Sequence, residues 1–164
     1  MIISGADPGR KGAIVALDTE STYCNHYKLS FDKAGELDID ALGWWLACTR
    51  PDMVLLEKVG GRKGWGAVQT FNFGSAYGQL LAALKSFRIP RRMVPPQTWQ
   101  RVAHEGVSGG LTPKERTMAA ISQSFPGCPK IRHDGVADAF LLAWFGVHKY
   151  GKSPRLIWDF KNLL

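Results

Sequence analysis

Four carboxylates in this sequence stand where strand and helix patterns would hold them in place. Asp7 ends the apolar run "IISGA" and is followed at once by the turn Pro8-Gly9. Glu57 ends a second apolar run, "MVLL". Asp134 and Asp138 lie four apart in "DGVADAFLLAWFGVHKY", which is otherwise largely apolar. On a helix, that spacing puts both acids on one face, where like charges repel unless a cation lies between them. Converging carboxylates with no cysteine or obligatory histidine form a hard-oxygen ligand set, suited to Mg²⁺ or Mn²⁺ rather than Zn²⁺. Two such ions, about 4 Å apart, can hold a phosphodiester, one activating a water and the other stabilising the leaving oxygen.

Each acid also has a plainer reading. Asp7 suits a turn, Glu57 an ion pair with Lys58, and Asp134 a helix N-cap. Asp138 is the hardest to explain structurally, because it interrupts an apolar helix. The set as a whole carries more information than any one member.

The acids need rigid elements to bring them together. Residues 2–6 and 12–17 read as two apolar strands joined by a tight turn at Pro8-Gly9. A third strand is expected over 23–31. Asp38 is placed to cap a helix ending near Cys48. Residues 53–59 read as a short buried strand. The glycine-rich 60–66 reads as a mobile loop, and a long helix follows from Ala67 or Val68 to about Phe87. Residues 91–96 form a proline-closed strand, and "PQTWQRVAH" starts another helix. After a second flexible loop over 105–116, Thr112, Pro113 and Glu115 form a capping box for a helix to about Ser124. The last helix runs from about Asp134 to Tyr150. The order β-β-β-α-β-α-β-α-α-α describes one α/β domain over residues 1–164, with an antiparallel meander continued by strands after helical crossovers. Strand-end acids and the start of the last helix would then meet at one edge of the sheet.

The bulk properties point to a polyanionic partner. The formal net charge is +7 and the isoelectric point about 9.5. Cations cluster at Lys58, Arg62 and Lys63, at Arg88, Arg91 and Arg92, and at Lys130 and Arg132. Trp65, Phe71, Phe73, Tyr77 and Trp99 sit among or beside them. Cations for phosphates beside flat rings for bases make a nucleic-acid surface. No stretch approaches the ~20 apolar residues of a membrane span, and no signal-peptide pattern opens the chain. Cys24, Cys48 and Cys128 are too widely spaced for a zinc motif and read as buried free thiols of a reducing cytoplasm.

Together "ADPGRKGAIVAL", "VLLEKV" and "HDGVADAFLLA" resemble the three acidic motifs of RuvC-type Holliday-junction resolvases, in the ribonuclease H-like superfamily. The resemblance covers nearly the whole chain. "KGWGAVQTFNFGSAYGQLLAAL" and "VPPQTWQR" are especially similar to the chloroplast and phage-like branch. The resemblance implies a ribonuclease H-like mixed five-stranded sheet flanked by helices, with three antiparallel strands followed by parallel crossovers. It implies a homodimer that nicks four-way DNA junctions symmetrically with Mg²⁺ or Mn²⁺ and leaves 5′-phosphates.

Residue by residue, Asp7, Glu57 and Asp138 match the family's acids on the first strand, the fourth strand and the last helix. Asp134 falls at the fourth group, where the sequence departs from bacterial RuvC by spacing its two helical acids one residue wider, at four. His133 is a lesser candidate there. Lys114 matches a functionally important basic residue. On this reading Arg10, Lys11, Lys58, Arg62, Lys63, Arg91, Arg92, Lys130 and Arg132 contact DNA, and Trp65 and Phe71 stack on or wedge between bases. A bacterial or phage-infected cytoplasm is the expected setting, with no nucleotide cofactor and no membrane. Other readings are a related nuclease acting on flaps, R-loops or branched replication DNA, and a junction-binding module without catalysis. The "DPG" turn also resembles the phosphate turn of actin-like ATPases, but the chain has no room for their second lobe.

Overall fold

The computed structural model describes residues 1–60, 64–126, 128 and 130–151. Strands β1 (Ile2–Asp7), β2 (Ala13–Asp18) and β3 (Cys24–Lys28) come first, then helix α1 (Ile39–Thr49) and β4 (Met53–Glu57). Helix α2 (Ala67–Ser86), β5 (Arg91–Val94), α3 (Pro96–Ala103), α4 (Pro113–Ser124) and α5 (Asp134–Tyr150) follow. The strands form one sheet in the order β3-β2-β1-β4-β5. The β1–β2 and β2–β3 pairs are antiparallel, whereas β1–β4 and β4–β5 are parallel. This is the expected element order and the expected mixed sheet.

Local chemistry accounts for the boundaries. The turn from β1 to β2 closes when the Gly12 amide donates to the Gly9 carbonyl at 2.7 Å. Gly12 has no room for a side chain, since a Cβ there would overlap the Asp7 carbonyl oxygen and lie 2.6 Å from that of Gly9. Asp38 caps α1 by accepting from the Ala41 amide at 2.9 Å. The capping box of α4 forms as the sequence implies, with Thr112 and Glu115 bonding each other's amides. Three strands are shorter than expected: β3 ends at Lys28, β4 at Glu57 and β5 at Val94, where the two prolines lead into α3. Beyond β3 the chain continues into an isolated antiparallel bridge between Phe31 and Leu37.

The sheet is covered on both faces. Ala6, Ile14, Val54 and Leu56 face a core shared with Leu42, Leu46, Leu80 and Leu84 of α1 and α2. Ile3, Val15, Leu17 and Leu55 face the other core, built largely from α5 with Trp99, Ile121 and Phe125. Side chains alternate across a strand. Asp7 therefore shares the face of Ile3, and Glu57 that of Leu55, which is the α5 side.

Helix α5 lies directly on the central strands, and small residues permit the approach. A Cβ on Gly5 would overlap the Ala139 carbonyl oxygen and the Ala143 amide nitrogen. A Cβ on Gly146 would sit 2.7 Å from Ile3 Cγ2 and 2.8 Å from Leu55 Cδ1. The cysteines correct one expectation: Cys24 is buried, Cys128 is half-buried and Cys48 is exposed. Cys48 falls on the outer side of α1, because the inward stripe is taken by Leu42, Trp45, Leu46 and Thr49. Burial pushes the Cys128 thiol up to about 11.

Gly5→Ala should destabilise the fold by at least ~1–3 kcal/mol, because the added methyl meets backbone rather than a movable side chain. A thermal melt followed by circular dichroism checks this. A midpoint equal to that of the parent would contradict the close packing of α5 on β1.

Candidate active site

Parallel pairing sets the first two acids side by side. Ala6 is in register with Leu56, so the next residue on each strand, Asp7 and Glu57, emerges at the same end of the sheet and on the same face. Helix α5 enters over that end. At Gly135 the helix backbone comes so close to the β1–β2 turn that a Cβ would overlap the Lys11 carbonyl oxygen and lie 3.1 Å from Asp7 Oδ2. Asp7 Oδ1 accepts weakly from the Gly9 amide at 3.4 Å. Asp134 and Asp138 line a cleft of about 240 Å³ with Glu57, Gln100, Lys114, Thr117 and Met118.

Each remaining acid has a defined partner. Trp99 Nε1 donates to Glu57 Oε1 at 3.0 Å. Thr117 Oγ1 donates to Asp138 Oδ1 at 3.0 Å. Lys114 Nζ lies 2.9 Å from Asp134 Oδ1, with both side chains more than half exposed. A pair this exposed is screened by solvent and contributes only ~0–1 kcal/mol to stability. His133, not Asp134, is the N-cap of α5: its Nδ1 accepts from the Val136 amide at 3.4 Å. Burial, the Lys28 charge and smaller effects of His26 and Lys11 push the His133 imidazole below its usual range, opposed by Asp134. The bond from the Val136 amide assigns the Nε2–H tautomer, with Nδ1 as the acceptor.

The donors fit a hard divalent ion by their chemistry, being carboxylate oxygens on a rigid edge. As they stand, no three of the His, Cys, Asp and Glu side chains among the described residues converge on one ion position. Lys114 holds Asp134, while Trp99 and Thr117 hold one oxygen each of Glu57 and Asp138.

The basic and aromatic residues fall into several places. Arg10 and Lys11 are exposed on the turn beside Asp7, and the Arg10 guanidinium rests over the Phe31 ring, 5.8 Å from its centroid. Lys58 is exposed directly after Glu57, and Lys130 and Arg132 are exposed just ahead of α5. Arg91 pairs with Val54 while Val94 pairs with Glu57. Arg91 and Arg92 thus begin β5 about 10 Å back from the acidic edge. Arg92 stacks over the Tyr150 ring at 5.0 Å. Arg62 and Lys63 lie outside the described residues. Trp65 meets Phe73 edge to face at 5.1 Å. The Phe73 ring lies 3.7 Å from the Cβ position of Gly9, so this aromatic pair abuts the Asp7 turn. With Arg10, Val68, Gln69 and Asn72 the pair lines a groove of about 540 Å³. Phe71 is 74% exposed on α2.

Trp99, Thr117, Gln100 and Met118 were not legible as site residues. The sequence reads Trp99 as one of the rings of a nucleic-acid surface, whereas the structure buries it at 1% exposure with its N–H turned to Glu57, and Thr117 reads only as a position inside a capped helix. The one available signal was the polar indole and hydroxyl on otherwise inward-facing stripes, where buried polar groups require partners.

No protein-family profile and no curated protein sequence matches the chain. Solved structures do. A Thermus thermophilus RuvC in complex with a Holliday-junction substrate superposes with a TM-score of 0.62 at 17% identity, covering 94% of this chain and 99% of that one. A second Thermus thermophilus RuvC structure gives 0.59 at 20% identity, with the same coverages of 94% and 99%. The fowlpox virus Holliday-junction resolvase gives 0.51 at 17% identity, covering 91% of this chain and 99% of that one. The fold is therefore the ribonuclease H-like fold of these resolvases. Among the described residues, no helix is long and apolar enough to cross a membrane.

His104 gives a pH-dependent readout of this region. Burial lowers its pKa, with a further push from the Arg116 charge. A depressed folded-state value means the contribution is fully present above the unfolded value of ~6.5 and is lost as pH falls through the folded one. Chemical denaturation from pH 7.5 to 5 should show this acid-side loss, and His104→Gln should flatten it.

Proposed function

We propose that this chain is a structure-selective DNA endonuclease that resolves four-way junctions by paired symmetric nicks. The observation that carries the reading is the meeting of four acids at one sheet edge. Asp7 and Glu57 stand on adjacent parallel strands, and α5 delivers Asp138 and Asp134 to the same end. The shared fold supports it, since two of the similar structures are described with Holliday-junction DNA.

Asp7, Glu57, Asp134 and Asp138 would hold the metal, with His133 as the lesser candidate for the fourth position. Bound there, Mg²⁺ or Mn²⁺ would supply Lewis acidity to a water and to the scissile phosphate. The chain's own residues do the rest. The turn at Pro8-Gly9 leaves an open approach for a phosphate beside Asp7. Arg10, Lys11, Lys58, Lys130 and Arg132 offset backbone charge, and the same role is proposed for Arg62 and Lys63, which lie outside the described residues. Lys114, reaching Asp134 in the same cleft, is placed to counter charge that builds on the phosphate in the transition state. Trp65 and Phe73 offer a ring surface next to Asp7 on which a base at the branch point can stack, and Phe71 adds an exposed ring on the same helix.

A homodimer would match the two-fold symmetry of a junction and put one site on each of two strands. The glycine- and aromatic-rich segment after Glu57 supports a place near the chloroplast and phage-like branch. Action in a bacterial or phage-infected cytoplasm, by residues 1–164 as one nuclease domain, completes the reading.

The test is cleavage of a labelled synthetic four-way junction in Mg²⁺, beside linear duplex, flap and R-loop controls. The parent should give paired symmetric nicks ending in 5′-phosphates, on the junction only. Asp7→Asn should lose about 10³-fold in rate, the equivalent of several kcal/mol of transition-state stabilisation. In chelator it should bind the junction as tightly as the parent or more tightly, because one negative charge facing the phosphates has gone. Lys114→Met should lose about tenfold or more in rate while changing stability by less than ~1 kcal/mol. Cuts on flaps or R-loops instead would keep the site and change the substrate. Tight junction binding with no cuts in Mg²⁺ or Mn²⁺ would leave a binding module.

A further inference from the structure

Helices α3 and α4 each send one buried polar group to one acid of the site. Trp99 is 1% exposed and Thr117 4% exposed, and their donated bonds to Glu57 and Asp138 are both 3.0 Å. The two donors are joined by His104, the residue that ends α3. Its ring lies edge-on to Trp99 at 5.8 Å, and its Nε2 is 3.4 Å from Thr117 Oγ1. A hydroxyl has one hydrogen, and Thr117 commits it to Asp138. The His104 contact therefore requires Nε2–H to be the donor and Thr117 oxygen the acceptor. The result is a continuous run of Glu57, Trp99, His104, Thr117 and Asp138, linking two acids 81 positions apart in the sequence.

We propose that Trp99 and Thr117 are positioning residues that fix the Glu57 and Asp138 carboxylates for a divalent ion, with His104 holding Thr117 in its donating orientation. This rests on the reading of Glu57 and Asp138 as metal ligands. Three features favour it over ordinary core packing. Each donor bonds a carboxylate at the sheet edge rather than a backbone group. A bond from a neutral donor stabilises the ionised form that a metal needs. Each bond engages a single oxygen, Glu57 Oε1 or Asp138 Oδ1, of a carboxylate that offers about four acceptor positions. Groups of this kind commonly tune metal affinity or activity by about 10–100-fold.

The test is Mn²⁺ binding to the full chain, read from the loss of the free-ion paramagnetic resonance signal, with thermal melts in chelator as the fold control. Thr117→Val keeps the shape and deletes the hydroxyl, Thr117→Ser keeps the hydroxyl, and Trp99→Phe keeps a ring and deletes the N–H. Thr117→Val and Trp99→Phe should each weaken Mn²⁺ binding about tenfold or more, and Thr117→Ser should stay near the parent. Junction cleavage should show the same order in its metal half-saturation, with rates recovering at high Mn²⁺. Folded Thr117→Val with parental Mn²⁺ affinity would overturn the proposal, as would a Thr117→Ser variant as weak as Thr117→Val. If Thr117→Val does not fold, Trp99→Phe and Thr117→Ser decide by the same criteria. A parent that binds Mn²⁺ and shows this variant order, yet cuts no junction, would remove the resolvase reading and leave the positioning role standing. A parent that binds no Mn²⁺ would overturn both.

Discussion

The close seating of α5 on β1 is the contact on which the acidic edge depends. Gly5 opposite Ala139 and Ala143, and Gly146 against Ile3 and Leu55, let the helix backbone approach nearer than any larger residue would allow. Burial of Val136, Phe140, Leu141, Leu142 and Phe145 along the same helix supplies the apolar driving force that holds it there. The approach continues to Gly135, which meets the β1–β2 turn beside Asp7. Lifting the helix by the radius of a methyl group would separate Asp134 and Asp138 from the strand acids. The glycines are thus as much a part of the site's geometry as the carboxylates are.

Holding four acids at one edge is electrostatically unfavourable without a counter-charge, and the structure distributes that burden. Lys114 neutralises part of Asp134 at a position open to solvent, where the pair can exchange partners at small cost. Glu57 and Asp138 are treated differently. Glu57 takes a bond from the buried Trp99 indole and Asp138 one from the buried Thr117 hydroxyl, neutral donors that fix direction without themselves removing charge. One acid is thus held by an exposed pair that can exchange, and two are each oriented by a buried donor. The wider surface, at a net +7, provides the attraction for a polyanion that the acidic edge alone would repel.

The element order was readable because local signals agreed with one another. The capping box at Thr112, the cap at Asp38, and the turn at Pro8-Gly9 are short-range chemistry, and each formed where the residues imply. Errors occurred where tertiary context sets the outcome. β3 stops at Lys28 although "YCNHYKLSF" continues to alternate, since no partner strand extends beyond it. His133 takes the cap of α5 that Asp134 resembled more, leaving Asp134 turned to Lys114. Cys48 is exposed because the inward side of α1 was already filled.

The sequence by itself determined which acids end which elements, because apolar periodicity and turn residues act over a few neighbours along the chain. It also determined the charge and ring content of the surface. Only the tertiary structure decided that Asp7 and Glu57 stand in register on one face, since strand pairing joins residues fifty apart through hydrogen bonds that carry no side-chain signature. Only it could bring an indole from α3 and a hydroxyl from α4 to the backs of Glu57 and Asp138. Those contacts depend on how two helices lie across the same sheet, and packing of that kind is fixed by the shape of the whole core rather than by any local run of residues.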